Sequence, residues 1–381
     1  MKNIIYLFFW LIASSPCLAQ KVNINKTILW EKGIGNYNNY RIPSIITSKK
    51  GTLLAFCEAR ESGDTGNIDV LMKRSTDNGI TWSDESIVWS DGENTCGNPT
   101  PVIDHQTGRI WLFLTWNHGD DNETQIIHKK SKLPRLPYLS FSDDDGLTWS
   151  EPKNMNDSCR NPSWGWYATG PGVGIQIKKG KFKGRLVIPS NHSYDDINGE
   201  IRNGPFNYGA HVLFSDNNGS SWEISDSIFP GCNESQIVEL ENGDLMMNMR
   251  SYNNQFSRAY SISTDGGYSW SKIKHDYQLV ESKCQASILN YGMFNKKNMY
   301  LFSNPAVPVG RTNMTIKTSF DNCKTWINSK VIHSGPSAYS CLTKLPNGNI
   351  GIFYEGGKTS AYEKMIFISF KPDALFSDSS L

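Results

Sequence analysis

The chain has 381 residues, with 38 Lys and Arg against 37 Asp and Glu and a formal net charge of +1. Interspersed, balanced charge excludes the electrostatic footprint that nucleic acid or an acidic membrane requires of a partner. Cysteines at irregular spacing, with no Cys-x-x-Cys and no His-Glu-x-x-His, give neither a disulfide framework nor a metal motif, so no metal and no cofactor is expected.

Residues 1–19 open with a short charged end, run through the apolar stretch Ile4 to Ala13, and finish in small residues before Gln20. This predicts a secretory signal peptide cleaved after Ala19, hence export to the periplasm or out of the cell. Cys17 lies in Ser14-Ser-Pro-Cys17, a poor match to a lipoprotein signal, and the apolar run is too short to span a bilayer. No low-complexity linker divides the rest of the chain, so residues 20–381 are expected to form a single domain.

From Gln20 onward the chain reads as short apolar or alternating runs bounded by Gly, Asn, Asp and Pro. Thr52–Phe56, Ile68–Met72, Arg109–Leu114, Arg185–Ile188, Gln236–Leu240, Asp244–Asn248, Asn298–Phe302 and Asn349–Tyr354 are examples. Their β-branched and aromatic content predicts many antiparallel strands and no long helix, an all-β class. Between them recurs Ser-x-Asp-x-Gly-x-Thr-Trp, at Ser75–Trp82 and Ser142–Trp149, with Ser for Thr at Ser263–Trp270. Ser215–Trp222 carries Asn217 in the Asp slot, and Ser319–Trp326 carries Cys323 in the Gly slot. The tryptophans stand 67, 73, 48 and 56 residues apart, the length of a four-stranded blade with insertions. Each box needs no substrate to explain it. The Asp bonds nearby backbone, Gly supplies positive φ, and Trp buries its ring under the turn with the indole N–H expected on a carbonyl.

Tyr40-Arg41-Ile42-Pro43, near the start of a chain with several Asp boxes, resembles the exo-α-sialidase (neuraminidase) family, bacterial type with BNR repeats and similar to glycoside hydrolase family 33. The resemblance continues, in the family's order, through Glu58-Ala-Arg60 with Asp64, Ala168–Gly172, Asn233-Glu234, Met249-Arg250, Gly310-Arg311, Ala338-Tyr339-Ser340 and Tyr354-Glu355. It implies a six-bladed β-propeller acting on sialylated glycans by hydrolysis with retention.

Sialic acid carries a carboxylate on its anomeric carbon, and planar guanidinium forks pair with carboxylate through two parallel hydrogen bonds. The resemblance assigns that task to Arg41, Arg250 and Arg311, with Glu355 pairing the first of them and Arg60 as a further substrate-binding arginine. A carboxylate nucleophile would approach an anionic centre, whereas a neutral phenol avoids the repulsion but needs a base beside it. Tyr339 matches the nucleophile and Glu234 its base; Asp64, in a loop of small residues, matches the acid/base. Trp164-Gly-Trp166-Tyr167, Asn191-His192 and Phe206-Asn-Tyr208 are expected to rim the pocket. A transglycosylating or anhydro-forming enzyme would share this set. A sialic-acid-binding propeller lectin would need only the arginines.

Overall fold

The computed structural model describes residues 24–195 and 207–377; the expected signal peptide and Phe206 lie outside them. Among the described residues strand is the dominant regular structure, with short helices only at Glu123–Ile127, Asn156–Cys159 and Pro372–Phe376. None is long and apolar enough to cross a membrane.

Strands join their neighbours in antiparallel meanders. Asn39–Thr47, Leu53–Arg60, Ile68–Ser75 and Ser86–Trp89 form the first. A parallel bridge from Ile68 to Thr95 links it to the next, made of Thr95–Ile103, Ile110–Asn117, Leu136–Ser142 and Lys153–Asn154. Leu186–Ser193 then pairs with Tyr208–Ser215, flanked by Tyr167–Thr169, Ile175–Gln176 and Glu223–Ile224. Cys232–Glu239 to Lys274–Val280 make a separate four-stranded sheet. The long strand Asn328–Lys344 serves two meanders, pairing Thr312–Ser319 through its first part and Ile350–Gly356 through its second. The first strand, Asn25–Glu31, completes the last meander by pairing with Lys364–Phe370. The sheets are propeller-like, and their hydrogen bonding leaves them as separate units of seven, five, four and eight strands.

Inner strands such as Leu53–Arg60 and Leu186–Ser193 are buried on both faces because meanders stack on one another, while outer strands such as Lys274–Val280 keep exposed residues. Successive side chains of a strand point to opposite faces. Accordingly Leu53, Ala55 and Cys57 pack with Phe353 and Phe367, while Leu54 and Phe56 pack with Ile110 and Leu112. The Asp boxes close the same interfaces. Gly79 has φ +82°, and a Cβ there would lie 2.2 Å from Cε1 of Phe367; at Gly146 it would lie 2.0 Å from Cδ2 of Leu54. Only glycine combines that backbone with that approach.

Within a box, Ser75 Oγ–H donates to Asp77 Oδ1 (2.8 Å) and accepts the Gly79 N–H (2.9 Å), while Thr81 donates its hydroxyl to Asp77 Oδ2 (2.6 Å). Asn217 keeps the pattern, accepting Ser221 N–H at 2.9 Å and donating to Ser221 Oγ at 2.8 Å. Cys323 holds φ +61° in place of glycine. The indole expectation holds for two boxes, with Trp82 and Trp222 donating to Gly79 O (3.2 Å) and Gly219 O (3.0 Å). Trp326 instead donates to the Asp276 carboxylate (2.9 Å), and the buried indole N–H groups of Trp149 and Trp270 have no protein acceptor. The shared feature is a ring packed against a core cluster, buried for Trp222 and Trp326 and partly buried for Trp82, Trp149 and Trp270. All seven cysteines among the described residues are buried and unpaired.

Candidate active site

Three strands that carry expected site residues break register where those residues lie, and a fourth breaks at Asn98. The breaks fall between Arg41 and Ser44, Gly97 and Thr100, Cys232 and Ser235, and Ser337 and Ser340. A bulge leaves residues out of the ladder and re-aims their side chains, here Ile42, Asn98, Glu234 and Tyr339. Ile42 adopts φ +62°, a strained conformation for a β-branched residue. Its N–H is held by Glu355 Oε1 at 2.9 Å.

These bulges open into a cavity of about 340 Å³ lined by Arg41, Arg60, Asp64, Glu234, Arg250, Arg311 and Tyr339. The sequence expectation therefore brings together seven of its eight site residues around one space, and the eighth, Glu355, stands directly behind them. Glu355 is fully buried and accepts four hydrogen bonds: Arg41 Nε (2.7 Å), Arg41 Nη2 (3.3 Å), Ile42 N–H and the Tyr339 N–H (3.1 Å). One carboxylate thus fixes the first arginine and the backbone of the tyrosine.

The three arginines surround the Tyr339 ring. Cζ of Arg41 and of Arg311 lie 5.2 and 5.5 Å from its centroid. Arg250 Nη1 donates to Tyr339 Oη at 3.2 Å and to Glu234 Oε2 at 2.7 Å. The sequence pairs Tyr339 directly with Glu234; in the structure the Arg250 guanidinium stands between them. Burial, and then the Glu234 charge, push the Tyr339 phenol well above its ordinary pKa, against the pull of Arg250 and Arg311. The phenol is therefore a neutral O–H in the free protein. Arg311 is the least encumbered of the three, donating to Tyr362 Oη (2.9 Å) and Lys283 O (3.3 Å), with no carboxylate partner among its hydrogen bonds.

Asp64 sits at the mouth, its side chain 85% exposed, in an ion pair with Arg60. Loss of solvation would raise its pKa; the charges of Arg60 and then Arg41 outweigh it and hold the carboxyl below its usual range. Arg60 is itself clamped from behind by the buried Glu58. Glu58 also accepts the Asn98 N–H at 2.7 Å.

Of the expected rim, Trp166 and Asn191 line the cavity. His192 does not: it is buried, stacked on Trp164 with centroids 3.6 Å apart, and its Nδ1 lies 2.9 Å from Nδ1 of His211. Tyr167 is likewise buried in that stack. Tyr208 lies behind the wall and donates to Glu123 Oε1 at 2.6 Å. Sequence reasoning missed Glu123 and Arg135, which line the pocket from the segment between Ile110–Asn117 and Leu136–Ser142. Arg135 is held by Asn98 Oδ1 (2.7 Å) and Thr115 Oγ1 (3.1 Å), its Cζ 4.5 Å from the Trp166 ring centroid. Loss of solvation raises the Glu123 pKa, opposed by Tyr208 and Arg250. Tyr252 and Tyr362 were also missed; no motif marks them. No cluster of His, Cys, Asp and Glu among the described residues is arranged to hold a metal ion.

Residues 51–352 match the BNR repeat-like domain family. Over 345 residues the chain is 32% identical to a sialidase of Bacteroides fragilis, covering 85% of this chain and 61% of that protein. It is 31% identical over 353 residues to a sialidase of Micromonospora viridifaciens, covering 87% and 52%. The solved structure of the Hadza microbial sialidase Hz136 superposes with a TM-score of 0.76 at 31% identity, covering 89% of this chain and 67% of that one. The chain belongs to the BNR-repeat sialidase family. It spans between half and two thirds of the length of those two curated relatives. An intramolecular trans-sialidase from Ruminococcus gnavus shares the fold at 20% identity, with a TM-score of 0.73 and coverage of 89% and 96%.

Proposed function

We propose that this chain is an exo-α-sialidase, exported by its N-terminal signal peptide to the periplasm or the medium, that releases terminal sialic acid from glycans with retention. Residues 20–381 form its single catalytic domain, a six-bladed β-propeller. Six antiparallel meanders support the blade count. So does a second cavity of about 220 Å³, lined by one residue or more from each meander: Ile45, Ile103, Ile175, Val238, Ile288 and Leu342. The observation that carries the functional reading is the convergence of three guanidinium groups on a neutral phenol with a carboxylate one hydrogen bond further on. A cationic pocket of that form suits a sugar whose reacting carbon bears a carboxylate.

Arg41, Arg250 and Arg311 bind that carboxylate, and a ligand carboxylate on Arg250 competes with Glu234 for the same nitrogen. Glu234 is then released to accept the Tyr339 proton as Oη attacks the anomeric carbon. The bond to the aglycone oxygen breaks as Asp64 protonates it, leaving a glycosyl–tyrosine bond. Water, deprotonated by Asp64, attacks the same carbon from the vacated face; the bond to Oη breaks, and Glu234 returns its proton to the phenoxide. Two displacements restore the original configuration. Asp64 pairs with Arg60 in the free protein and its carboxyl is held below the usual carboxylate range, so its capacity to protonate the leaving group falls away as pH rises.

A lectin would have no use for Asp64, Glu234 and Tyr339 around the arginines. Sialyllactose followed by NMR tests the reading: α-sialic acid appears first if it is right. A 2,7-anhydro product would replace hydrolysis by intramolecular transfer, and binding without product would make the chain a lectin.

A further inference from the structure

One titratable pair outside the pocket is more deeply buried than any in it. Arg258 and Glu281 have side chains 0% and 1% exposed, joined Nη1 to Oε2 at 2.6 Å. Arg258 donates Nε to Asn248 Oδ1 (2.7 Å) and Nη1 also to Cys284 O (2.8 Å), and its Nη2 has no partner. Glu281 Oε1 accepts the N–H of Ser251, the residue after Arg250, at 2.7 Å. A buried ion pair returns little net stability against the loss of two hydration shells, so its presence here asks for another reason.

That reason is what the segment 281–285 touches. Lys283, at φ +55°, offers its carbonyl to Arg311 Nη2. The Cys284 side chain packs in one buried cluster with Ile42, Ala338 and Tyr339. Gln285 accepts the N–H of Ser340 at 3.0 Å and donates to the Ser340 carbonyl at 3.0 Å. A single short segment therefore bears on Arg250 through Glu281, on Arg311 through Lys283, and on Tyr339 through Cys284 and Gln285. Arg258 bridges the start of that segment to its fourth residue, through the Glu281 carboxylate and the Cys284 carbonyl, and Glu281 ties the segment to the Ser251 N–H.

We infer that Arg258 and Glu281 are positioning residues whose ion pair sets the spacing between Arg250, Arg311 and Tyr339. This rests on the reading of those arginines as carboxylate ligands. Neither residue touches substrate. Displacing a binding group by about 1 Å costs up to about 100-fold in rate or affinity. Interactions made equally in ground and transition state appear in KM rather than kcat.

The test compares wild type with Glu281→Gln and Arg258→Lys on an aryl sialoside, alongside Arg185→Met. Arg185 pairs with Asp216 within the Ser215–Trp222 box, away from the cavity, and serves as a stability control. Each variant is melted and its KM and kcat are measured separately. The expected result is a KM raised about 10- to 100-fold in Glu281→Gln with a smaller fall in kcat, a milder rise in Arg258→Lys, and an unchanged KM in Arg185→Met whatever its melting temperature. If Glu281→Gln yields no folded protein, Arg258→Lys carries the comparison, since it keeps the charge and loses the fork. A lower melting temperature with KM unchanged in the Glu281 and Arg258 variants would make the pair structural only and overturn the inference. No turnover of the sialoside by wild type would instead overturn the functional reading, and the inference with it.

Discussion

Glu355→Gln is a change of one atom with a large calculated consequence. Four donors converge on the two Glu355 oxygens: Arg41 Nε and the Ile42 N–H on Oε1, Arg41 Nη2 and the Tyr339 N–H on Oε2. An amide has one acceptor oxygen and one NH2, so either orientation sets the NH2 against two donors. If the oxygen replaces Oε1, Arg41 Nη2 and Tyr339 N–H lose their acceptor; if it replaces Oε2, Arg41 Nε and the strained Ile42 lose theirs. The site is fully buried, so water cannot substitute. Removing one partner of a buried pair costs about 3–5 kcal/mol, with the uncompensated Arg41 charge the main part. That is a large share of the roughly 5–15 kcal/mol by which a folded protein is stable. Because the same oxygens orient Arg41 and the Tyr339 backbone, kcat/KM on a sialoside should fall at least about 100-fold. Urea unfolding and initial rates at a temperature where the variant is folded measure the two effects. A loss below about 1 kcal/mol with normal kinetics would refute the reasoning, since the carboxylate would then be organising nothing.

Asp64→Asn should impair cleavage of sialyllactose far more than cleavage of a 4-nitrophenyl sialoside, whose leaving group scarcely needs a proton; equal losses on both would remove Asp64 from the acid/base role. In wild type, kcat/KM on sialyllactose should decline as pH rises above the depressed Asp64 pKa, a limb absent from the Asp64→Asn profile; an identical profile would argue against it. Tyr339→Phe and Glu234→Gln should each reduce activity severely, and the double variant should be little worse than the worse single, as for groups acting in one step; multiplicative losses would separate them. Hydrogen bonds from Thr81, first, and from Ser75 and Ile80 hold the Asp77 carboxyl down at about 2. A carboxyl depressed on folding adds stability above its unfolded pKa of about 3.9, lost as pH falls through the folded value. Asp77→Asn should therefore narrow the gap in melting temperature between pH 5 and pH 2.5; a gap equal to wild type would deny the box that role.

What could be read from the sequence was whatever lies local in the chain. An Asp box is a turn whose donors and acceptors fall within eight residues, so Ser75, Asp77, Gly79 and Trp82 declare it in order. The arginines declared themselves through short motifs beside them, as Arg41 does in Arg41-Ile42-Pro43. Contacts between distant segments left no such trace. Glu123 and Arg135 reach the pocket from a segment with no repeat pattern, and Tyr362 enters from a turn far along the chain. The register breaks that aim Glu234 and Tyr339 depend on pairing partners that alternation alone does not specify. The placement of Arg250 between Tyr339 and Glu234 is likewise a matter of three strands meeting. His192 reads as a pocket residue beside Asn191, yet successive residues of a strand face opposite ways, so when Asn191 lines the cavity His192 turns into the core.

The proposed mechanism forms a bond between a tyrosine oxygen and the anomeric carbon, and that bond can be trapped. A 3-fluorosialyl fluoride has a leaving group good enough to form the intermediate and a fluorine that slows its hydrolysis. Incubating it with wild type and mapping the digested protein by mass spectrometry should place the added sialyl mass on the peptide containing Tyr339, with no such adduct in Tyr339→Phe. An adduct on Asp64 or Glu234, or turnover of ordinary sialosides by Tyr339→Phe at the wild-type rate, would contradict it.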